Sequence, residues 1–192
     1  MRKLDRAVRT GHLTRIHRSK RHTEPIDGFV VGANEAWVLL APCQDVLLDG
    51  YTAVRTGDIS RVRRRGDEDS LTIRALRRRG QWPVAKPSGD VAFGDLRELL
   101  ATSGGHYGLV TVYTERKSVD MCWIGAVVGF RGKSVGLHEV DPRARWHDEP
   151  STFPLKHITQ VGFAGRYEQT LQEFAGPMPL GSPGGTDGAA VG

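Results

Sequence analysis

The sequence predicts a mostly β protein: two tandem small barrels, each with a short helix beside it. Three observations carry that prediction. Residues 11–40, moved 97 positions along the chain, fall on residues 108–137 with nine identities in thirty ungapped positions. Each copy divides into short segments rich in β-branched and aromatic residues, separated by turn formers. A glycine, Gly28 in one copy and Gly125 in the other, interrupts the same segment of each, where glycine marks a bend or bulge. The organisation that follows is a first barrel over 1–79, a linker over 80–91, a helix and second barrel over 92–175, and a disordered Gly/Pro-rich tail over 176–192.

The elements follow in order. In the first copy LTRIHRS (13–19) is a strand, and GFVVGANEAWVLLAP (28–42) is a hairpin turning at Gly32-Ala33-Asn34-Glu35. DGYTAVRTG and DISRVRR are two more strands. Val30, Val31, Val38 and Val54 with Phe29, Trp37 and Tyr51 supply the β-formers. SLTIRALRRR (70–79) is a short amphipathic helix. The linker GQWPVAKPSGD holds Pro83, Pro87, Ser88 and Gly89. VAFGDLRELLATSGG (91–105) is helical, with Phe93, Leu96, Leu99 and Leu100 on one face, Asp90 or Asp95 as cap, and Gly104-Gly105 at its end. The second copy repeats the strands as GLVTVYTER, CWIGAVVGF, SVGLHEV and FPLKHITQVGF. It turns at Arg131-Gly132-Lys133, passes a longer loop through Asp141-Pro142, and closes on the amphipathic RYEQTLQEFA.

Composition excludes several classes. With 192 residues, 39% hydrophobic and 26% charged, the chain has the make-up of a globular domain and is too short for a large multidomain enzyme. No run approaches the ~18 apolar residues of a membrane span. The basic N-terminus lacks the apolar stretch of a secretory signal. Cys43 and Cys122 lie far apart, which gives no disulfide framework and no zinc spacing. A cytoplasmic protein with reduced thiols is expected. The net charge of +5 is uneven: residues 1–80 carry 17 Lys or Arg against 10 Asp or Glu, whereas 81–192 carry 10 against 12. A basic first half attracts polyanions. Arg outnumbers Lys 21 to 6, a bias that GC-rich genomes produce without any ligand.

Ile26, Gly28, Val30, Trp37 and Leu39 in the first copy, and Gly125, Val127 and Phe130 in the second, follow an apolar-x-Gly-x-apolar pattern. The pattern resembles the first motif of the Sm-like family, whose fold is a five-stranded barrel of SH3 type. In Sm-like proteins an Asp and an Asn of that motif belong to a loop that contacts RNA bases. Here Asn34 and Arg131 stand at the Asp position, and Val38 and Val135 at the Asn position. The resemblance therefore implies the barrel and leaves the base-contacting positions unmatched.

The expected function is non-enzymatic binding, with RNA or single-stranded nucleic acid as the ligand. Arg15, Arg18, Lys20 and Arg21 lie near the first strand, Arg61, Arg63 and Arg65 on the last strand of that copy, and Arg74, Arg77 and Arg78 on the following helix. Their convergence would make a phosphate-binding surface with strong salt dependence. Trp37 and Tyr51 are the candidates for stacking bases, although such rings more often fill the core. The alternative is a protein-interaction scaffold, in which barrel edge strands pair with a partner or with other copies. The seven histidines form no HxH, HExxH or Cys/His quartet, and no GxSxG, GxGxxG or P-loop is present. No catalytic residue, metal or cofactor is expected.

Overall fold

Apart from the two-residue strand β4, the same order of elements runs twice along the chain. A computed structural model describes residues 2–19, 23–116 and 121–179. The first half has helix α1 (Arg2–Thr10), strands β1 (Leu13–Arg18), β2 (Ile26–Ala33), β3 (Trp37–Gln44), β4 (Leu47–Leu48) and β5 (Tyr51–Arg55), a 3₁₀ turn at Thr56–Asp58, β6 (Ile59–Arg64) and α2 (Leu71–Arg78). The second half has α3 (Leu96–Tyr107), β7 (Leu109–Tyr113), β8 (Cys122–Arg131), β9 (Ser134–Glu139), β10 (Ser151–Pro154), a 3₁₀ turn at Leu155–His157, β11 (Gln160–Phe163) and α4 (Arg166–Ala175). None of the helices is long and apolar enough to cross a membrane.

The strands join in one large antiparallel sheet, which does not close. Its order is β10-β9-β8-β7-β11-β5-β3-β2-β1-β6, with β4 on the side of β3. Within each half the first strand lies between the second and the last. The halves are joined by β5 and β11, with Val54 opposite Gln160 and Tyr51 opposite Phe163.

The duplication extends to irregularities. The β2–β3 ladder slips between Val30 and Gly32, and the β8–β9 ladder slips between Val127 and Gly129, 97 positions on. These bulges bend the sheet. Gly28 and Gly125, expected at the bend, lie beside it and do another job. A Cβ on Gly28 would sit 2.6 Å from the Ala41 carbonyl oxygen, and one on Gly125 would collide with that of His138. Ladder register also corrects the repeat over the first strand. Leu13, opposite Phe29, corresponds to Leu109, opposite Ala126. Thr14 therefore matches Val110, not Thr111.

Each helix follows from local chemistry. α1, not foreseen from the sequence, buries Leu4 and Ala7 and ends at Gly11, with φ +58°. α3 starts at Asp95, whose carboxylate accepts the Glu98 amide at 2.9 Å. It runs through Gly104-Gly105 and stops at Gly108, with φ +79°. Those two glycines are thus interior, and Gly104 lets the helix lie against Val127. Phe93 precedes α3 and packs over Gly32. The linker is packed: Trp82 meets Phe29 edge-on at 5.6 Å, and the Tyr107 hydroxyl donates to the Ser88 carbonyl at 3.0 Å. Most of the Gly/Pro-rich tail, residues 180–192, lies outside the described residues.

Two cores result. One joins Leu4 and Ala7 of α1 to Ile16, Val30, Val38, Leu40 and Val54, with Val62 against it. Val54 and Val62 come from opposite ends of the five-strand path, so the sheet curls around this cluster. The other core joins Leu96, Leu99 and Leu100 of α3 to Val110, Val112, Val135, Leu137 and Val161. It also takes in Trp37, Leu39, Ala41 and Ala53 from the first half. The reason is the β5–β11 register: Ala53 is opposite Val161, so the outside of one curl continues into the inside of the next. Burying Leu99 and Leu100 alone contributes about 3–6 kcal/mol in area terms.

Candidate functional site

Among the described residues the sheet ends in two edges that pair with no further strand. One is β6, and the other is β10. β6 carries Arg61, Arg63 and Arg64, all exposed, with exposed Arg65 next. β10 begins after the exposed Asp148, Glu149 and Pro150 and ends on Pro154. Charge and proline are the usual guards of an exposed edge against unspecific pairing.

The arginines predicted to bind nucleic acid divide into three groups. Arg61, Arg63 and Arg65 alternate along one face of β6, and Arg15 and His17 lie opposite Arg63 and Arg61 on that face. α2 covers the same side, because Ile73 and Leu76 pack on Phe29 and Leu13. Its Arg74, Arg77 and Arg78 are exposed, and Arg77 lies over the Trp82 ring at 5.9 Å. Arg15, Arg18 and Arg65 converge on one cleft of ≈ 950 Å³ with Thr72 of α2. Two of the three are already paired. Arg15 donates twice to Asp27, at 2.7 and 2.6 Å. Arg18 is bonded to Glu115 at 2.7 Å, with both side chains 5% exposed. Lys20 and Arg21 lie outside the described residues.

Several arginines turn out to stitch the halves together. Thr159 donates to the same Glu115 oxygen that Arg18 reaches, at 2.7 Å. Arg55 lies over Trp37 at 5.0 Å and donates to the Ile158 and Leu155 carbonyls at 2.8 and 3.1 Å. Arg116 meets Asp58 at 3.4 Å. Nothing in the local sequence marks these three as junction residues, because each partner lies in the other half.

The aromatic candidates separate as well. Trp37 is 2% exposed beneath Arg55, with no face left for a base. Tyr51 is half-buried, stacks on Phe163 at 5.6 Å, and donates to the Ala85 carbonyl at 3.3 Å. At the position where the family pattern has its Asp, Asn34 holds the hairpin. Its Oδ1 accepts the Ala36 and Trp37 amides at 2.8 and 2.7 Å, and its Nδ2 donates to the Phe93 carbonyl. That amide is consumed by the fold.

His138 is buried, with Nε2 2.6 Å from the His147 carbonyl and its ring edge-on to Trp146. Among the described residues no group of three His, Cys, Asp or Glu is placed to hold a metal.

On the α4 side of the sheet, Tyr113, Cys122 and Glu168 line a second cavity. Burial first, then the charges of Cys122, Glu168 and Glu115, push the Tyr113 phenol up to about 12. A phenol with a raised folded-state value binds its proton more tightly when folded. Stability is then complete below pH ~10 and falls as pH rises from there through about 12. Absorbance titration should show one tyrosine ionising near 12, and Tyr113→Phe should remove that step.

No protein-family model, curated protein or solved structure matches this chain.

Proposed function

We propose that the protein is a self-assembling scaffold: two fused Sm-like barrels that join head to tail with further copies through their strand edges. The observation that carries this reading is the β5–β11 pairing. It joins β5, the counterpart of β10, to β11, the counterpart of β6. The two edges left free are the same two strands with the halves exchanged, β10 and β6. Each molecule therefore carries both sides of a contact it already makes once internally.

The repeat fixes the expected register. β3–β5 and β9–β10 align Val54 with Phe153, and the first- and last-strand ladders align Arg61 with Gln160. Val54 opposite Gln160 then becomes Phe153 opposite Arg61 of the next copy. Thr152 faces Val62, Ser151 faces Arg63, and Pro150 faces Arg64. Continuing outward, Glu149 meets Arg65 and Asp148 comes alongside. The charges are complementary in this register. Pro150 and Pro154 bracket the one outward-facing N–H of β10, that of Thr152, which opposes a slip along the edge. Such a heterologous contact makes a ring if the rotation closes and a filament if it does not. The curl of each half favours closure.

A charge-swap experiment tests the register. Arg65→Glu should weaken assembly, and Glu149→Arg on the same chain should restore it. Weakening without recovery would place the partner of β6 elsewhere.

A second reading has its own observation. The row Arg61, Arg63 and Arg65 shares a face with α2, whose Arg74, Arg77 and Arg78 are exposed. That face suits a single-stranded RNA backbone, and edge pairing through the main chain leaves it open. Anisotropy with a mixed RNA should show affinity that falls with salt and is lost in Arg77→Glu/Arg78→Glu. Salt-independent or unchanged binding would remove the reading.

A further inference from the structure

A second cationic cluster lies on the opposite side of β6 from the arginine row. Lys3, Arg6 and Thr10 fall three and four positions apart on α1 and form one flank of that helix. Arg64 comes from β6 on the face it shares with Thr14, opposite to that of Arg63. His12 closes the end, with Nδ1 2.5 Å from the Thr10 hydroxyl. With Val62 these residues line a cavity of ≈ 290 Å³, and no carboxylate is among them. Among the described residues Lys3, Arg6 and Arg64 make no ion pair.

We propose that this cavity binds a phosphate group, as the dianion of inorganic phosphate or of a terminal phosphomonoester. Two guanidinium groups and an ammonium supply donors of the right charge, and an arginine can bind two phosphate oxygens at once. At ≈ 290 Å³ the cavity lies at the lower end of ligand-pocket sizes, roughly 300–1,000 Å³. Lys3, Arg6, Thr10 and Arg64 are all exposed, so a molecule held by its phosphate end keeps the remainder in solvent. The site requires no second copy and does not depend on the assembly proposed above.

His12 reports on occupancy. Burial first, then Arg64 and Arg6, lower its pKa below the ordinary imidazole value. Lys3 and Arg6 face it from α1 and Arg64 from β6, while Asp67, Glu68 and Arg77 line the adjoining cavity. A bound dianion offsets the cations and favours the imidazolium, so the His12 pKa should rise on binding.

The test is an NMR titration of the His12 ring in the full chain at constant ionic strength. The ligands are inorganic phosphate, a 5′-phosphorylated oligonucleotide and its 5′-hydroxyl counterpart, with chloride as control. The expected result is a saturable shift with phosphate and with the 5′-phosphorylated strand, and an upward move of the His12 pKa. Arg6→Gln and Arg64→Gln, on different elements and both exposed, should each weaken binding at least about tenfold, the scale of one charge-assisted hydrogen bond. Arg9→Gln, on the same helix but lining another cavity, should leave it unchanged. An equal response to chloride overturns the proposal, as does an equal loss in Arg9→Gln. Equal binding of the 5′-hydroxyl strand overturns the assignment to a dianion.

Discussion

Replacing Arg18 with alanine is expected to cost about 3–5 kcal/mol of folding stability, because it strands the Glu115 carboxylate inside the junction between the halves. Both side chains are 5% exposed, and only Thr159 remains to satisfy the acid. The pair itself is not a source of comparable stability, since desolvating two charges offsets most of their attraction. Arg18→Met/Glu115→Leu should therefore recover most of the loss. Urea unfolding of the wild type, both single variants and the double variant measures the cycle. Losses that simply add would show that the two residues do not act as a pair.

Gly28→Ala and Gly125→Ala should each lose about 3 kcal/mol or more, at the upper end of what overpacking costs. The clash in each is with a neighbouring strand's backbone, 2.6 Å from the Ala41 oxygen in the first half and tighter against His138 in the second. A carbonyl held in a ladder cannot swing aside as a side-chain tip can. Gly57→Ala is the control. Its added methyl meets nothing within 4 Å, and it should stay within about 0.5 kcal/mol of wild type. Similar losses at all three positions would show that strand approach is not their cause.

The strands were legible in the sequence because alternation, β-branching and turn chemistry are local. The duplication was legible because Val30/Val127 and Gly32/Gly129 flank identical bulges, and Gly28/Gly125 make the same close approach to a neighbouring strand. α1 was missed because its charged residues mask a two-residue buried stripe, Leu4 and Ala7. The end of α3 was misplaced because a Gly-Gly pair reads as a stop, whereas Gly104 is there for close packing against Val127. The continuous sheet depends on β5 meeting β11 more than a hundred residues away, and no local pattern encodes that pairing. The same distance hid the roles of Arg18 and Arg55. Arg18 reads as one of the phosphate-binding candidates until Glu115 is placed beside it, and nothing marks Arg55 until the Ile158 carbonyl is. Trp37 is a stacking candidate by type alone, and the more common role of such a ring, filling the core, is the one it has. Its burial is set by Arg55 and the α3 core.

The mass of the protein in solution tests head-to-tail assembly most directly. Native mass spectrometry should find one discrete multiple of the 21.1 kDa chain. Thr152→Pro, at an exposed position of the β10 edge, should reduce that multiple to the monomer while circular dichroism stays unchanged. A wild-type chain that is monomeric at all concentrations, or an oligomer indifferent to both Thr152→Pro and Arg65→Glu, would contradict assembly through β6 and β10.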